Sequence, residues 1–385
     1  MKIVFLSNYF NHHQKPFSDS MNKTDGVEYR FIETEEMESE RKNMGWGEKN
    51  YPDYVIKSYE SEEKYDESIK AINEADVVIF GSAPYKMIKN RLKAGKLVFR
   101  YSERLYKKGF KFYEQPLRFL KYFCLWGRFR NTYLLCSSAY AYADYLKTFN
   151  FKNRAYNWGY FPEVKTYPDI KSLIKGKEKN SLLWVARLIE WKHPEAPLYV
   201  AERLKKDGYD FKLRLIGNGE KETETETLIK EKGLSDSVEL LGAMAPEKVR
   251  EYMEKSGIFM FTSDFNEGWG AVLNESMNSG CAVVASHAIG SVPFLIKDNE
   301  NGLIYRNGDS EDLYKKVKFL LDNPEIRERL GEEAYFALAK TWNAEVAAKR
   351  IVTLIKDIMS GNKNPHGFEE GPCSKAKKLK NNWYK

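Results

Sequence analysis

Ile258-Phe-Met-Phe261-Thr-Ser-Asp-Phe-Asn-Glu267-Gly-Trp-Gly270-Ala-Val-Leu-Asn-Glu275-Ser-Met-Asn278-Ser-Gly280-Cys-Ala282-Val-Val-Ala285 carries a complete strand, loop, helix and strand in one run. Both ends are short and apolar throughout instead of alternating, as parallel strands covered on both faces are. The middle reads as a helix from about Gly270 to Asn278, stopped at Ser279-Gly280 with glycine in the usual terminating position. Two glutamates with seven residues between them bracket the helix start. Glu267 falls in the loop that feeds the helix, and Glu275 one to two turns inside it. The backbone N–H groups of Gly268, Trp269, Gly270, Ala271 and Val272 head the helix, where unpaired donors and the helix dipole favour an anion. A ligand with hydroxyls at both ends and a diphosphate in its middle fits that layout.

The same unit recurs along the chain. Further strand-like runs occupy 2–6, 76–80, 96–100, 133–136, 181–185, 212–216, 237–241 and 303–305. Helical patterns lie between them at 62–73, 139–149, 196–207, 246–255, 310–322 and 324–339. This alternation predicts an α/β fold with one parallel sheet per half. A chain of 385 residues suits two domains. The boundary is expected between 157 and 180, a stretch with Pro162, Pro168 and several lysines. We therefore expect domains at 1–160 and 165–341, a helix at 342–359 that rejoins the first, and a basic, disordered tail at 361–385. Ligands of such folds bind beyond the carboxyl ends of the strands.

Composition narrows the class. Hydrophobic residues make up 42% and charged residues 30% of the chain, with a mean hydropathy of −0.60. No apolar run approaches the length that spans a bilayer. The opening strand is too short for a signal peptide. The cysteines at 124, 136, 281 and 373 lack metal-ligand spacing and read as reduced thiols. A cytoplasmic protein without a metal site is expected.

Three further segments of the second half suit the diphosphate ligand. After the run at 181–185 comes Ala186-Arg187-Leu188-Ile-Glu-Trp-Lys192, two cations five positions apart beyond a strand end. They could converge on a diphosphate, or be ordinary loop cations. The next strand ends in Ile216-Gly217-Asn218-Gly219, a turn that permits close backbone approach. The one after runs into Gly242-Ala-Met244, where a nucleobase could rest.

Together these residues resemble the retaining glycosyltransferases of family 4. The matching elements are Ala186-Arg187-Leu188 with Lys192, the Ile216-to-Gly219 turn and the Glu267/Glu275 element, joined downstream by Gly290-Ser-Val-Pro293 and Asn301-Gly302-Leu303. The resemblance covers 181–342 well. Before that only strand order and Asn157-Trp-Gly159-Tyr-Phe161 agree. It implies the GT-B fold, two Rossmann-like domains with parallel sheets facing across a cleft, and transfer of a sugar from a UDP- or GDP-linked donor. Glu267 would accept hydrogen bonds from the donor sugar and Glu275 from the ribose. Arg187 and Lys192 would stabilise charge on the leaving diphosphate. The acceptor would be a glycan or lipid-linked glycan, in surface polysaccharide assembly. No cofactor or metal is implied. An inactive scaffold subunit and a sugar-nucleotide epimerase are the rival readings, and the four residues Arg187, Lys192, Glu267 and Glu275 favour transfer.

Departures cluster in the first half, where the acceptor should bind. The loop after the first strand reads Ser7-Asn-Tyr-Phe-Asn-His12-His13-Gln-Lys-Pro16, where the family often has a glycine pair. His12 or His13 could reach the diphosphate or sugar, or pack on Tyr9 or Phe10. Tyr101-Ser102-Glu103-Arg104 stands where the family often has a histidine. Glu103 could replace it as hydroxyl acceptor, or pair with Arg104 or Arg100.

Residues 100–130 hold nine Lys or Arg against two Glu, a net +7 that equals the charge of the whole chain. Eight aromatic residues from Phe110 to Phe129 interleave with them. Such a stretch suits the inner face of an anionic membrane, or equally a helix whose aromatic side is core. The lysines of the tail suit a second contact with that surface. No nucleic-acid-binding motif accompanies them.

Overall fold

The computed structural model describes residues 1–38, 47, 50–362 and 367–384. The chain divides into two compact units, Met1–Glu163 with Trp342–Lys380, and Val164–Thr341 with Asn381–Lys385.

The first unit is a seven-stranded, all-parallel sheet: β1 (Lys2–Ser7), β2 (Glu28–Glu33), β3 (Val55–Lys57), β4 (Val77–Phe80), β5 (Leu97–Ser102), β6 (Thr132–Cys136) and β7 (Ala155–Asn157), in spatial order 3-2-1-4-5-6-7. The second unit is a six-stranded parallel sheet: β8 (Ser181–Val185), β9 (Lys212–Ile216), β10 (Val238–Leu240), β11 (Ile258–Phe261), β12 (Ala282–Ser286) and β13 (Leu303–Tyr305), in order 10-9-8-11-12-13. Each is a doubly wound α/β sheet whose strand order reverses once, beside β1 and β4 in one unit and beside β8 and β11 in the other. The loops that follow β8 and β11 carry Arg187, Lys192 and Glu267, so the reversal point and the quoted motif coincide.

Strands buried on both faces are the ones visible as apolar runs. Val77–Phe80, Ile258–Phe261 and Ala282–Ser286 are buried at every position. Three strands are not visible that way. β2 reads Glu-Tyr-Arg-Phe-Ile-Glu, with charges at both ends and its centre. β3 and β7 are three residues each and owe their existence to pairing with a longer neighbour.

The tail is a correction to the expected disorder. Cys373 N–H donates to Asn157 O at 2.8 Å, Asn157 N–H to Ser374 O at 2.8 Å and Ala376 N–H to Ala155 O at 3.1 Å. The segment thus caps the outer edge of β7, satisfying groups an edge strand otherwise exposes, and Cys373 is fully buried. Lys375, one of the tail lysines given above to a second membrane contact, lies over the Tyr156 ring and donates to Asn153 O at 2.8 Å. Further on, Tyr384 stacks on His287 with centroids 6.0 Å apart, and Trp383 Nε1 donates to His287 O at 3.2 Å, both within the second unit. The helix Ala344–Met359, expected from Trp342, packs in the first unit against the helix Lys15–Asn22.

Candidate active site of the second unit

The loop after β8 is built against the loop after β9. Leu188 N–H donates to Asn218 O at 2.8 Å, Ala186 N–H to Ile216 O at 3.1 Å and Lys221 N–H to Leu188 O at 2.9 Å. This contact explains the glycines of Ile216-Gly217-Asn218-Gly219. A Cβ on Gly217 would stand 1.8 Å from Ala186 O, and one on Gly219 2.4 Å from Leu188 O. The close approach that the turn permits is to a neighbouring loop, and it sets the path of Arg187. The Arg187 side chain is exposed and has no hydrogen bond or ion pair among the described residues.

Lys192 ends the 3-10 turn Glu190–Lys192. Its carbonyl accepts a hydrogen bond from Thr262 Oγ1 at 2.6 Å, and Trp184 Nε1 donates to the same Thr262 Oγ1 at 2.8 Å. The indole of β8 thereby ties the lysine loop to the end of β11 through one buried hydroxyl. Lys192 Nζ forms an ion pair with Glu267 Oε2, their side chains only 12% and 10% exposed. Ser263 Oγ donates to the same Oε2 at 3.1 Å. Glu267 Oε1 has no hydrogen-bond partner among the described residues, so one carboxylate oxygen is held and the other is left to accept. Lys192 carries three N–H donors, and serving Glu267 leaves capacity for an anion.

Gly270 shapes the same spot. It opens the helix Ala271–Asn278 with a φ of 80°. A Cβ there would strike the Phe261 ring at 2.3 Å and lie 3.3 Å from Glu267 Cδ. Only glycine lets the carboxylate tuck beneath the helix start. The first-turn amides of Ala271 and Val272 have no carbonyl one turn back to bond. The far end of the helix is fixed. Asn278 exchanges hydrogen bonds with the Lys165 backbone at 2.8 and 3.0 Å, and half-buried Lys177 donates to Ser279 O at 2.9 Å and Met253 O at 2.8 Å. Glu275 is half-buried on this helix.

The arrangement amounts to an ammonium, a half-engaged carboxylate and a helix N-terminus at the carboxyl ends of β8 and β11. The model of the glycosyl transferases group 1 family matches residues 168–336, which span all of it. Those residues belong to the glycosyl transferases group 1 family.

Relatives agree with that assignment. An alpha-D-kanosaminyltransferase of Streptomyces kanamyceticus is 28% identical over 47% of this chain and 46% of its own length. A Campylobacter jejuni N-acetylgalactosamine-N,N'-diacetylbacillosaminyl-diphospho-undecaprenol 4-alpha-N-acetylgalactosaminyltransferase is 33% identical over 42% of this chain and 41% of its own. The chain thus matches under half the length of these curated relatives. Among solved structures, Anabaena HepE in complex with UDP superposes with a TM-score of 0.68 at 16% identity, covering 94% of this chain and 100% of that one. A sucrose-phosphate synthase of Thermosynechococcus elongatus gives 0.64 at 15%, with the same coverage. At such identities the likeness is one of fold, and the fold is GT-B.

Within the group 1 domain the structure revises part of the expected site. Trp269 is fully buried and its Nε1 donates to Asn274 Oδ1 at 2.8 Å. Its side chain is therefore an anchor for the helix start, and only its backbone remains a candidate ligand group. Gly217 and Asn218 act through the loop contact described above, Gly268 lies in the turn between Glu267 and the helix, and Met244 is half-buried after β10. Thr262, Ser263 and Trp184 were not singled out from sequence, although Thr-Ser directly after an apolar strand was the available signal. His193 is another omission. Its Nδ1 lies 2.8 Å from Glu195 Oε1 and its Nε2 3.8 Å from Asp264 Oδ2. The Glu195 hydrogen bond raises its pKa above the ordinary imidazole value.

In the first unit, the His12 and His13 rings lie with centroids 3.8 Å apart, tilted by 51°, and His13 faces Tyr160 at 6.5 Å. Glu103 pairs with neither Arg104 nor Arg100. Its Oε1 accepts from Tyr160 Oη at 2.6 Å and its Oε2 pairs with Lys107. Arg104 is buried against Asp144 at 3.3 Å, and Arg100 Nη1 donates to Gly81 O. With both oxygens engaged, Glu103 is a structural group first. Glu33, which ends β2, was also missed. It is fully buried, accepts from Phe10 N–H at 3.0 Å, and burial raises its pKa, so it braces the loop that carries the histidines.

Proposed function

We propose that the protein is a retaining glycosyltransferase of family 4. It moves a hexose-type sugar from a nucleoside diphosphate, UDP or GDP, to a hydroxyl of a glycan or lipid-linked glycan in surface polysaccharide assembly. The observation that carries this reading is the Lys192–Glu267 pair beneath the Gly270 helix start. A held carboxylate with one accepting oxygen suits a sugar hydroxyl, and the ammonium and helix amides suit a diphosphate. Glu275 takes the ribose hydroxyls. UDP is favoured by the UDP bound to HepE, and a lipid-linked acceptor by the diphospho-undecaprenol substrate named in the activity of the Campylobacter relative.

In the reaction, the bond between the anomeric carbon and the diphosphate oxygen breaks while the acceptor oxygen bonds to the same face of that carbon. The acceptor proton passes to the departing phosphate oxygen, and Arg187 and Lys192 balance the charge that collects there. The protein's own cations supply this charge, so transfer proceeds in a chelator. The protein acts in the cytoplasm. An inactive scaffold would have no use for a desolvated ion pair at this position, which costs stability unless its geometry is good.

The test is a panel of UDP- and GDP-sugars with a lipid-linked acceptor, followed by release of nucleoside diphosphate with and without chelator. One donor is expected to be consumed in both conditions, with the product's anomeric configuration matching the donor's by NMR. An inverted product or strict dependence on a divalent cation would refute the mechanism. No release from any donor would favour the scaffold.

A further inference from the structure

Of the eleven large hydrophobic side chains exposed among the described residues, eight lie between Phe110 and Phe149. They are therefore a patch and not scattered surface. Its centre is the 3-10 turn Phe112–Glu114 and the helix Gln115–Tyr122, neither of which buries any residue. Phe112 is 83% exposed, Leu117 75% and Leu120 57%. Leu117, Leu120 and the exposed Cys124 recur at helical spacing on one face. Phe149, with a φ of 55°, extends the patch by meeting Phe119 edge-on at 5.5 Å. The opposite face holds Tyr122, Leu125 and Phe129, which pack against the core around Trp126. The segment is thus apolar on both sides, one docked and one not.

Its charges sort in the same way. Arg100, Arg104, Lys107 and Arg118 are engaged by carbonyls, Asp144, Glu103 and Glu114. Lys108, Lys121, Arg128 and Arg130 are exposed and have no carboxylate partner among the described residues. An uncovered apolar face edged by unpaired cations matches the two parts of an anionic bilayer, acyl chains below and phosphate above.

We propose that this face docks the protein on an anionic lipid bilayer, with Phe112, Leu117 and Leu120 entering the acyl boundary and Lys108, Lys121, Arg128 and Arg130 on the headgroups. The proposal does not depend on the donor site, since nucleotide binding is read separately.

Cys124 offers a direct probe, because Cys136, Cys281 and Cys373 are buried. The full chain, labelled at Cys124 with a polarity-sensitive fluorophore, is mixed with vesicles of phosphatidylcholine alone or with phosphatidylglycerol. Emission is expected to shift to the blue, and the protein to float, only with the anionic vesicles, and high salt should weaken both. Leu117→Glu/Leu120→Glu should reduce partitioning by about tenfold or more, and Lys121→Glu/Arg128→Glu should do so on anionic vesicles, while both retain nucleotide affinity. Unchanged emission with every vesicle, or equal partitioning of the variants, overturns the proposal. So does a concentration-dependent dimer that Leu117→Glu/Leu120→Glu abolishes, which would give the face to a second copy.

Discussion

Lys192→Ala is expected to lower kcat/KM for sugar transfer by about 10²–10³-fold, the usual cost of removing one preorganised charge from a reacting oxygen. The loss should fall mainly on kcat, because the charge matters most as the diphosphate departs. The substitution also frees Glu267, whose Oε2 is shared by Lys192 and Ser263. Lys192→Arg should rescue little, since a side chain only 12% exposed has no room for the wider, planar guanidinium. The reciprocal change, Glu267→Gln, keeps the shape and strands the ammonium. Breaking a largely buried pair from one side costs about 3 kcal/mol, so a lower melting temperature should accompany the loss of turnover. Steady-state kinetics with melting curves for the three variants separate these effects. Full activity in Lys192→Ala would remove the residue from the mechanism.

Gly217→Ala should be the most damaging single methyl in the second unit. The added Cβ would lie 1.8 Å from Ala186 O and 2.9 Å from Ala186 C, both backbone atoms that cannot rotate aside. The loops after β8 and β9 must separate, at a cost of about 3 kcal/mol, the upper end of ordinary overpacking. Arg187 moves with them, so nucleotide affinity should fall in the fraction that stays folded. Gly208→Ala is the control. Its φ is 81°, yet nothing lies within 4 Å of a Cβ there, so only backbone strain of about 1 kcal/mol applies. Chemical denaturation of the two variants measures the difference. Equal stabilities would show that the loops yield easily.

The α/β plan was legible because its central strands are covered on both faces and so consist of unbroken apolar residues. Strands whose burial depends on neighbours were not. β2 spends two of its six positions on glutamate, one of which, Glu33, is buried to hold the Phe10 amide. The tail misled for the opposite reason. Its lysines suggest solvation, but Cys373, Ser374 and Ala376 are buried against the edge of β7, a contact between residues more than two hundred positions apart. At the site, residue types were readable and their mode of action less so. Glu267 and Lys192 stand out by spacing, whereas their direct pairing is a fact of tertiary structure. Trp269 illustrates the limit: a tryptophan between two glycines in the loop before a helix start turns its ring fully inward. Likewise, the glycines at 217 and 219 serve loop packing, which local sequence cannot distinguish from approach to a phosphate.

The loops after β8 and β11 are proposed to hold a nucleoside diphosphate. Titration calorimetry of UDP, GDP, dTDP and ADP against the wild type and Arg187→Ala tests it most directly. One nucleotide, UDP foremost, is expected to bind the wild type, and at least about tenfold more weakly the variant that lacks the exposed guanidinium. Absence of binding by all four, or equal affinity in Arg187→Ala, would contradict it.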